Sequence, residues 1–334
     1  MRPNPSAHRS NDALRGLKSK GQDTERAMAV KGVAESLFSV DVEDWFHILD
    51  LPSTPSVSEW GKLPSRVERN FSRLLDLFDE KQVSTTCFFL GWIGERFPHL
   101  VREAAARGHE IASHGYAHRL VYELSRDEFY QDAVRSRGIL EDLAGVAVTG
   151  YRSAGFSVTE RTLWFFDTLA DAGYEYDSSV FPSPRGHGGM RTDQRAPHVM
   201  DTSSESSSEI IEFPITVTDL FGRPMCFFGG GYLRLFPYWL IRRMSKTVLE
   251  DGRPVVFYIH PREIDPDHPR LPMGLGRRFK SYVNLESTEG KLKRLLDEFP
   301  MTTFRDFVFR NRGALLSNEP KRSGVAAKAR AAAK

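Results

Sequence analysis

Short apolar runs rich in β-branched and aromatic residues alternate along this chain with longer stretches whose apolar positions recur every three to four residues. The stretch 36–46 begins as a buried strand and ends in three acids among aromatics, and the runs at 83–90, 109–112, 147–152, 174–179, 210–215, 254–260 and 301–304 read as further strands. Between them, 64–81 places Val67, Phe71, Leu74, Leu75 and Phe78 on one helical face. Further helices are predicted through 100–107, stopped by Gly108, and over 125–143, where Ser125 and Glu128 form a capping box. Others follow at 159–172, closed by Gly173, at 235–249 and at 286–299. Repeated strand-helix alternation through 37–312, about seven units, argues for one α/β barrel-like domain on a parallel sheet, with its chemistry at the strand C-terminal ends.

Three stretches break the rhythm. Residues 1–34 are polar and weakly basic and read as a disordered leader; 313–334 is rich in Ala, Lys and Arg and reads as a disordered basic tail, which leaves a domain of 35–312. The Gly-, Pro- and Ser-rich stretch 183–208 is expected to be a long surface loop inserted over the site mouth. Gly229-Gly230-Gly231 reads as a tight turn, since no Lys-Ser/Thr follows that would make it a phosphate cradle. The 334 residues, 40% hydrophobic and 27% charged, suffice for a sizeable core, and a net charge of +2 gives no drive toward nucleic acid. The two cysteines, Cys87 and Cys226, indicate neither a disulfide framework nor a thiolate metal site, and both are expected to be buried thiols. No run is apolar enough to span a bilayer and no signal peptide is evident, so the expected location is cytoplasmic.

The chemistry gathers where strands end. Asp41, Glu43 and Asp44 close the first; His114 and His118 follow the third; Arg152, Asp177 and His260 stand at later exits. Two imidazoles four residues apart share one face of a helical turn, about 5–6 Å between Cβ atoms, so both can reach one divalent ion. On a strand Asp41 and Glu43 share a face, which suits a base and a ligand, yet Asp44 at the exit can equally bind metal or serve as a helix N-cap. Each residue has a structural rival reading: Arg152 with Asp177 as an ion pair, His260 as a satisfied buried histidine, and Trp45, Tyr232 and Tyr258 as core aromatics. Five exits on one rim favour a site.

In these residues the chain resembles the polysaccharide deacetylases of carbohydrate esterase family 4. The matching stretches are Ser39-Val40-Asp41-Val42-Glu43-Asp44, His114-Gly115-Tyr116-Ala117-His118 with Gly where the family carries a hydroxyl residue, Arg152 to Phe156, Asp177-Ser178-Ser179, and Ile259-His260. Asp-Val-Glu-Asp-Trp, Phe-Phe-Gly-Gly-Gly-Tyr-Leu-Arg and Phe-Tyr-Ile-His-Pro-Arg-Glu look most like the subgroup associated with exosortase-type exopolysaccharide gene clusters. The resemblance implies a distorted (β/α)7 barrel over about 36–312. It implies a divalent metal, Zn²⁺ ahead of Co²⁺ or Ni²⁺, held by His114, His118 and one of Glu43 or Asp44. It implies Asp41 as general base oriented by Arg152, His260 as general acid oriented by Asp177, an oxyanion site of backbone N–H groups near 152–156, and substrate contacts from Trp45, Phe156 and Tyr232, with Trp45 and Tyr232 exposed for sugar stacking. The implied reaction is removal of N-acetyl groups from N-acetylhexosamine units of an exopolysaccharide or its precursor, with action on a precursor at the inner membrane face reconciling that substrate with a cytoplasmic location. A metal amidohydrolase acting on a small amide and a non-catalytic carbohydrate-binding protein are the alternatives.

Overall fold

The computed structural model describes residues 35–49, 51–184, 188–200, 209–220 and 222–317. The leader at 1–34 and the stretch 318–334 lie outside the described residues, as do 185–187 and 201–208 of the inserted segment. Strands and helices run in the order β1 (Ser36–Val42), α1 (Val57–Trp60), α2 (Val67–Lys81), β2 (Thr86–Phe89), α3 (Gly91–Arg96), α4 (Pro98–Ala106), β3 (Glu110–Ser113), α5 (Arg126–Ala144), β4 (Gly150–Tyr151), α6 (Trp164–Asp171) and β5 (Tyr176–Asp177). Then come β6 (His198–Met200), β7 (Ile210–Glu212), β8 (Thr218–Leu220), β9 (Arg223–Met225), α7 (Gly230–Leu235), α8 (Tyr238–Glu250), β10 (Val255–Ile259), α9 (Leu275–Tyr282), α10 (Thr288–Glu298), β11 (Met301–Thr302) and α11 (Phe304–Ser317).

The main sheet has the order β10-β1-β2-β3-β4-β5-β7-β6, with β11 beside the start of β1. Every pairing is parallel except β6 with β7. Seven parallel strands along this path, wrapped by helices, make a curled, distorted (β/α)7 barrel. Strand alternation sorts the two faces. On β1, Phe38, Val40 and Val42 pack in the core beneath the helices with Phe71, Leu74 and Phe78 of α2, while Leu37 joins the interior cluster of Phe88, Tyr176, Phe213, Tyr258 and Phe304. Asp41, two pairs of residues beyond Leu37, therefore opens on the barrel interior at its C-terminal end. The opposite end is plugged by α11. Its first residues Phe304 and Arg305 donate backbone N–H groups to Thr86 Oγ1 and Glu110 Oε2, and the Phe304 ring stacks on Tyr176.

Several predicted helices keep their stop signals: Ser125 caps α5 with its Glu128 box, and Gly108 and Gly173 take positive φ. Five elements differ from expectation. Part of the 183–208 insertion is an edge strand, because Val199 and Met200 pair antiparallel with Ile211 and Ile210. The segment 227–232 is more than a tight turn: it opens α7, with Gly229 in extended conformation as its N-cap. The hairpin β8–β9 and the helix α9 were not anticipated, and α11 continues through Ser317, past the boundary placed at 312. Cys87 and Cys226 are both buried thiols, and burial pushes Cys87 up to about 12. Among the described residues no helix is long and apolar enough to cross a membrane.

Gly229 bridges to Tyr258 of β10, and a Cβ there would stand 2.1 Å from Tyr258 Cδ1. Gly229→Ala is therefore expected to cost about 1–3 kcal/mol in urea unfolding. Gly61→Ala, with nothing within 4 Å of the added carbon, serves as control.

Candidate active site

The inner face of β1 delivers Ser39 and Asp41, and a tight turn in which Glu43 N–H donates to the Asp41 carbonyl (3.0 Å) brings Glu43 over the same end of the barrel. Beyond β3, His114 N–H donates to the Phe89 carbonyl (2.7 Å), and His114 Nδ1 meets the Arg152 carbonyl at 2.8 Å. The two histidines do not share a helical turn. Residues 114–118 form an irregular loop in which Gly115 (φ 76°) and His118 (φ 52°) both take left-handed backbone, and Asp132 pins it by accepting from Tyr116 N–H at 2.7 Å. The loop needs a glycine here: a Cβ on Gly115 would lie 2.9 Å from Asp132 Oδ2 and 3.0 Å from the Tyr151 hydroxyl. The loop returns His118 Nε2 to 2.9 Å from Glu43 Oε2. One donor atom from each of Glu43, His114 and His118 lies within 4.8 Å of the others, and all three residues are buried.

These residues suit a divalent cation. With Nδ1–H of His114 committed to a carbonyl, its Nε2 lone pair is free, and burial pushes the ring down to about 4, keeping it neutral. Burial favours the neutral Glu43 carboxyl, but His118, His260 and Arg262 outweigh it and hold the group ionised. Glu43 Oε2 is buried and lies 2.9 Å from His118 Nε2 without meeting it in hydrogen-bond geometry, as two ligand atoms aimed at one cation would.

Arg152, fully buried, fixes the Asp41 carboxylate. Its Nη1 donates to Asp41 Oδ1 and to Ser39 Oγ, both at 2.7 Å, while Nε and Nη2 donate to the Ser178 carbonyl and hydroxyl at 3.2 and 3.1 Å. Its guanidinium lies over the Phe88 ring, 4.1 Å from the centroid. Across the barrel, His260 follows β10 on the inner face, with Nε2 3.3 Å from Glu43 Oε1 and 3.9 Å from Asp41 Oδ2.

The orienting partner of His260 is Glu263, not Asp177. Glu263 Oε2 faces His260 Nδ1 at 3.5 Å and accepts His260 N–H at 3.2 Å, while Oε1 lies 3.4 Å from Arg234 Nε. Burial acts against its charge, but Arg234 and His260 bring it down to about 2; burial likewise lowers His260, and Glu43 with Glu263 more than reverse this. A carboxylate three residues after His260 was visible in the sequence, but not its role. Asp177 instead accepts from the Ser179 hydroxyl (2.6 Å) and N–H (3.1 Å) and pairs in register with Glu212 of β7.

Asp44 is not brought to the cation group. Its carboxylate caps the turn at Trp45–His47 and accepts from Trp45 N–H, Ser65 Oγ, Arg66 N–H and Val67 N–H between 2.6 and 3.2 Å, so its lone pairs are spent. Trp45, 6% exposed, donates Nε1–H to the Pro64 carbonyl and is a core residue with no open face for a sugar. Phe156, 5% exposed, packs 5.0 Å from Tyr258, and Tyr232 is half-buried against the same cluster. His47, which sequence reasoning passed over, stands behind His118 with ring centroids 5.8 Å apart.

Residues 61–176 match the family model described as polysaccharide deacetylase, and 178–309 match a domain of unknown function, DUF3473. The chain carries a polysaccharide deacetylase domain. A peptidoglycan-N-acetylglucosamine deacetylase of Bacillus cereus is 35% identical over 91 residues, 27% of this chain and 33% of the relative. The match thus spans about a third of that relative's length. A Mycobacterium smegmatis structure assigned as a polysaccharide deacetylase superposes with a TM-score of 0.58 at 18% identity, covering 85% of this chain and 93% of the other. Puue allantoinase does so with 0.57 at 16% identity, covering 85% and 92%. At such identities these two show a shared fold alone. The deacetylase match contains His114, His118 and Arg152; the DUF3473 match contains His260 and Glu263; Asp41 and Glu43 precede both. The candidate site of this deacetylase domain is assembled from all three.

Two consequences concern acids outside the cation group. Asp44→Ala strands four donors and is expected to cost about 2–3 kcal/mol in urea unfolding, whereas Glu43→Ala, which strands none, is expected to cost under about 1 kcal/mol. Burial raises Asp177 to about 6 and pushes Glu212 well above the usual carboxyl range. A carboxyl that keeps its proton in the folded state supports stability at low pH and loses that support as pH rises through its folded value. The melting temperature of Glu212→Gln is therefore expected to gain on wild type as pH is raised from 4.5 to 7, and an unchanged difference would refute the retained proton.

Proposed function

We propose that this chain is a metal-dependent hydrolase that removes N-acetyl groups from N-acetylhexosamine units of an exopolysaccharide or its precursor, in the exosortase-associated subgroup that its sequence resembles. The observation that carries this reading is the convergence of three settings on one barrel end: Glu43, His114 and His118 within 4.8 Å, Asp41 held by Arg152 at 2.7 Å, and His260 backed by Glu263 at 3.5 Å. The match to polysaccharide deacetylases and the curated relative acting on peptidoglycan N-acetylglucosamine support the same chemistry.

Amide hydrolysis needs an activated water and a polarised carbonyl. A divalent cation held by Glu43, His114 and His118, Zn²⁺ by the donor set, supplies both when bound. Asp41 receives the water's proton on Oδ2, because Oδ1 is engaged by Arg152, and that pair keeps the carboxylate ionised and aimed. His260 delivers a proton from Nε2 to the departing amine, with Glu263 behind Nδ1 fixing the ring. The N–H groups of Arg152, Ser153 and Phe156 donate to Ser113, Ser179 and Ser153, so the oxyanion role in this stretch falls to Ala154 and Gly155. Ring stacking on the substrate falls to Tyr232, the half-buried aromatic of the three expected contacts.

Acetate release from N-acetylglucosamine oligomers by metal-stripped protein, with Zn²⁺ or Co²⁺ then restored, tests this. Activity is expected to return with metal, to fall about 10²–10⁴-fold in Asp41→Asn, and to vanish with metal binding in His114→Ala. Acetate release indifferent to metal would sink the mechanism. Tight metal binding without acetate would move the substrate to another amide.

A further inference from the structure

The turn that carries the proposed acid also carries an arginine that the described residues leave unneutralised. Neither acid of the turn makes an ion pair with it. Glu263 is engaged by His260 and Arg234, and Asp265, 2% exposed, is paired with Arg69 at 2.7 Å and Arg66 at 3.9 Å and accepts from Asn70 at 3.1 Å. Arg262, half-buried between them, has Nε and Nη1 shut away from solvent with no hydrogen-bond partner. Its charge reaches the candidate site, for it opposes protonation of Glu43, His260 and Glu263.

His268 completes the arrangement. It is 3% exposed, and its Nδ1 donates to the Pro269 carbonyl at 2.8 Å, so Nε2 carries the lone pair; that nitrogen is buried and has no partner. Burial and the Arg262 charge push the ring down to about 4, so it stays neutral. Two cationic donors and one neutral acceptor, all desolvated and all unsatisfied, are costly in a folded protein unless a ligand meets them. Donors on a fixed guanidinium select an oxyanion, and the acceptor selects a hydroxyl or N–H beside it.

We propose that Arg262 and His268 form a subsite for an oxyanion, a carboxylate or a phosphate, borne by the glycan next to the sugar that loses its acetyl group, so that the substrate is an acidic N-acetylated carbohydrate. Arg262 donates to the anion and His268 Nε2 accepts from a hydroxyl of the same unit. The deacetylase reading supplies the identity of the neighbouring sugar; the anion preference is a matter of binding and stands apart from turnover.

Three probes separate the cases: a hyaluronan hexasaccharide, in which glucuronate alternates with N-acetylglucosamine; UDP-N-acetylglucosamine, which bears phosphate; and neutral chitohexaose. Binding of each to the full chain is measured by calorimetry, beside acetate release, for wild type, Arg262→Gln and Arg262→Lys, with thermal unfolding to establish that the variants fold. Wild type is expected to bind one acidic probe more tightly than chitohexaose, with the responding probe naming the anion. Arg262→Gln is expected to weaken that probe about tenfold or more, while chitohexaose changes less than about twofold. Arg262→Lys, which retains the charge, is expected to recover part of the loss, and His268→Phe to weaken the same probe. No preference for either acidic probe, or equal losses for all three, would overturn the subsite. Anion binding that depends on Arg262 without acetate from any probe would uphold the subsite and defeat the deacetylase reading. Acetate from chitohexaose with Arg262→Gln silent would do the reverse.

Discussion

The buried Arg152–Asp41 pair is the constraint around which the rest of the site is arranged. A guanidinium removed from water is tolerated only when its donors find partners, and here they reach Asp41 and Ser39 on β1 and the Ser178 carbonyl and hydroxyl after β5. Arg152 itself is tied to β3, its N–H donating to Ser113 and its carbonyl meeting His114 Nδ1. One residue therefore sets the separation of three strand exits, orients the carboxylate that faces His260, and selects the His114 nitrogen that points at Glu43. The aromatic rings of Phe88, Phe156, Tyr258 and Phe304 enclose it, so the network works at low dielectric, where each bond is stronger and each loss larger.

Satisfaction of hydrogen bonds separates the structural acids of this barrel from the chemical ones. Asp44 has four donors on one carboxylate and secures a turn; Glu110 is met by Thr86 Oγ1, Tyr176 OH and the first turn of α11 and closes the far end; Asp177 is met by the Ser179 hydroxyl and N–H and lies in register with Glu212. The Glu43 carboxylate is met at 2.9 and 3.3 Å by the imidazoles of His118 and His260, and Arg262 and His268 have buried nitrogens without a hydrogen-bond partner. Several of the buried groups without a hydrogen-bond partner, Glu43, His260, Arg262 and Glu263 among them, lie at the candidate site and in the turn after β10.

The division of the chain between two family matches takes on a physical meaning in this light. The deacetylase match supplies two imidazoles and the arginine that holds Asp41, whereas the DUF3473 match supplies the opposite wall: His260, the Glu263–Arg234 pair beside it, and Arg262. Neither half contains a complete proton pathway, since Asp41 comes from β1 ahead of both. The second region is thus part of the barrel, joined through β10 pairing with β1 over five residues.

Local pattern alone determined the alternation of strands and helices, the capping box at Ser125 and the gathering of acids, histidines and an arginine at strand ends, because periodicity and stop signals act over a few residues. It placed Asp41 and Glu43 on one face, since strand geometry has a period of two. What only the tertiary structure decided were partnerships across long separations in sequence. Glu43 rather than Asp44 faces the imidazoles because residues 65–67 arrive to saturate Asp44; Glu263 rather than Asp177 backs His260 because β5 lies beside β7, so that Asp177 meets Glu212. His114 and His118 converge through two left-handed residues that a helical spacing argument does not foresee, and Trp45 lies in the core because Pro64 offers its indole a carbonyl. The sequence carries which groups are available; chain packing decides which of them are left without a partner, and that remainder is what a ligand can use.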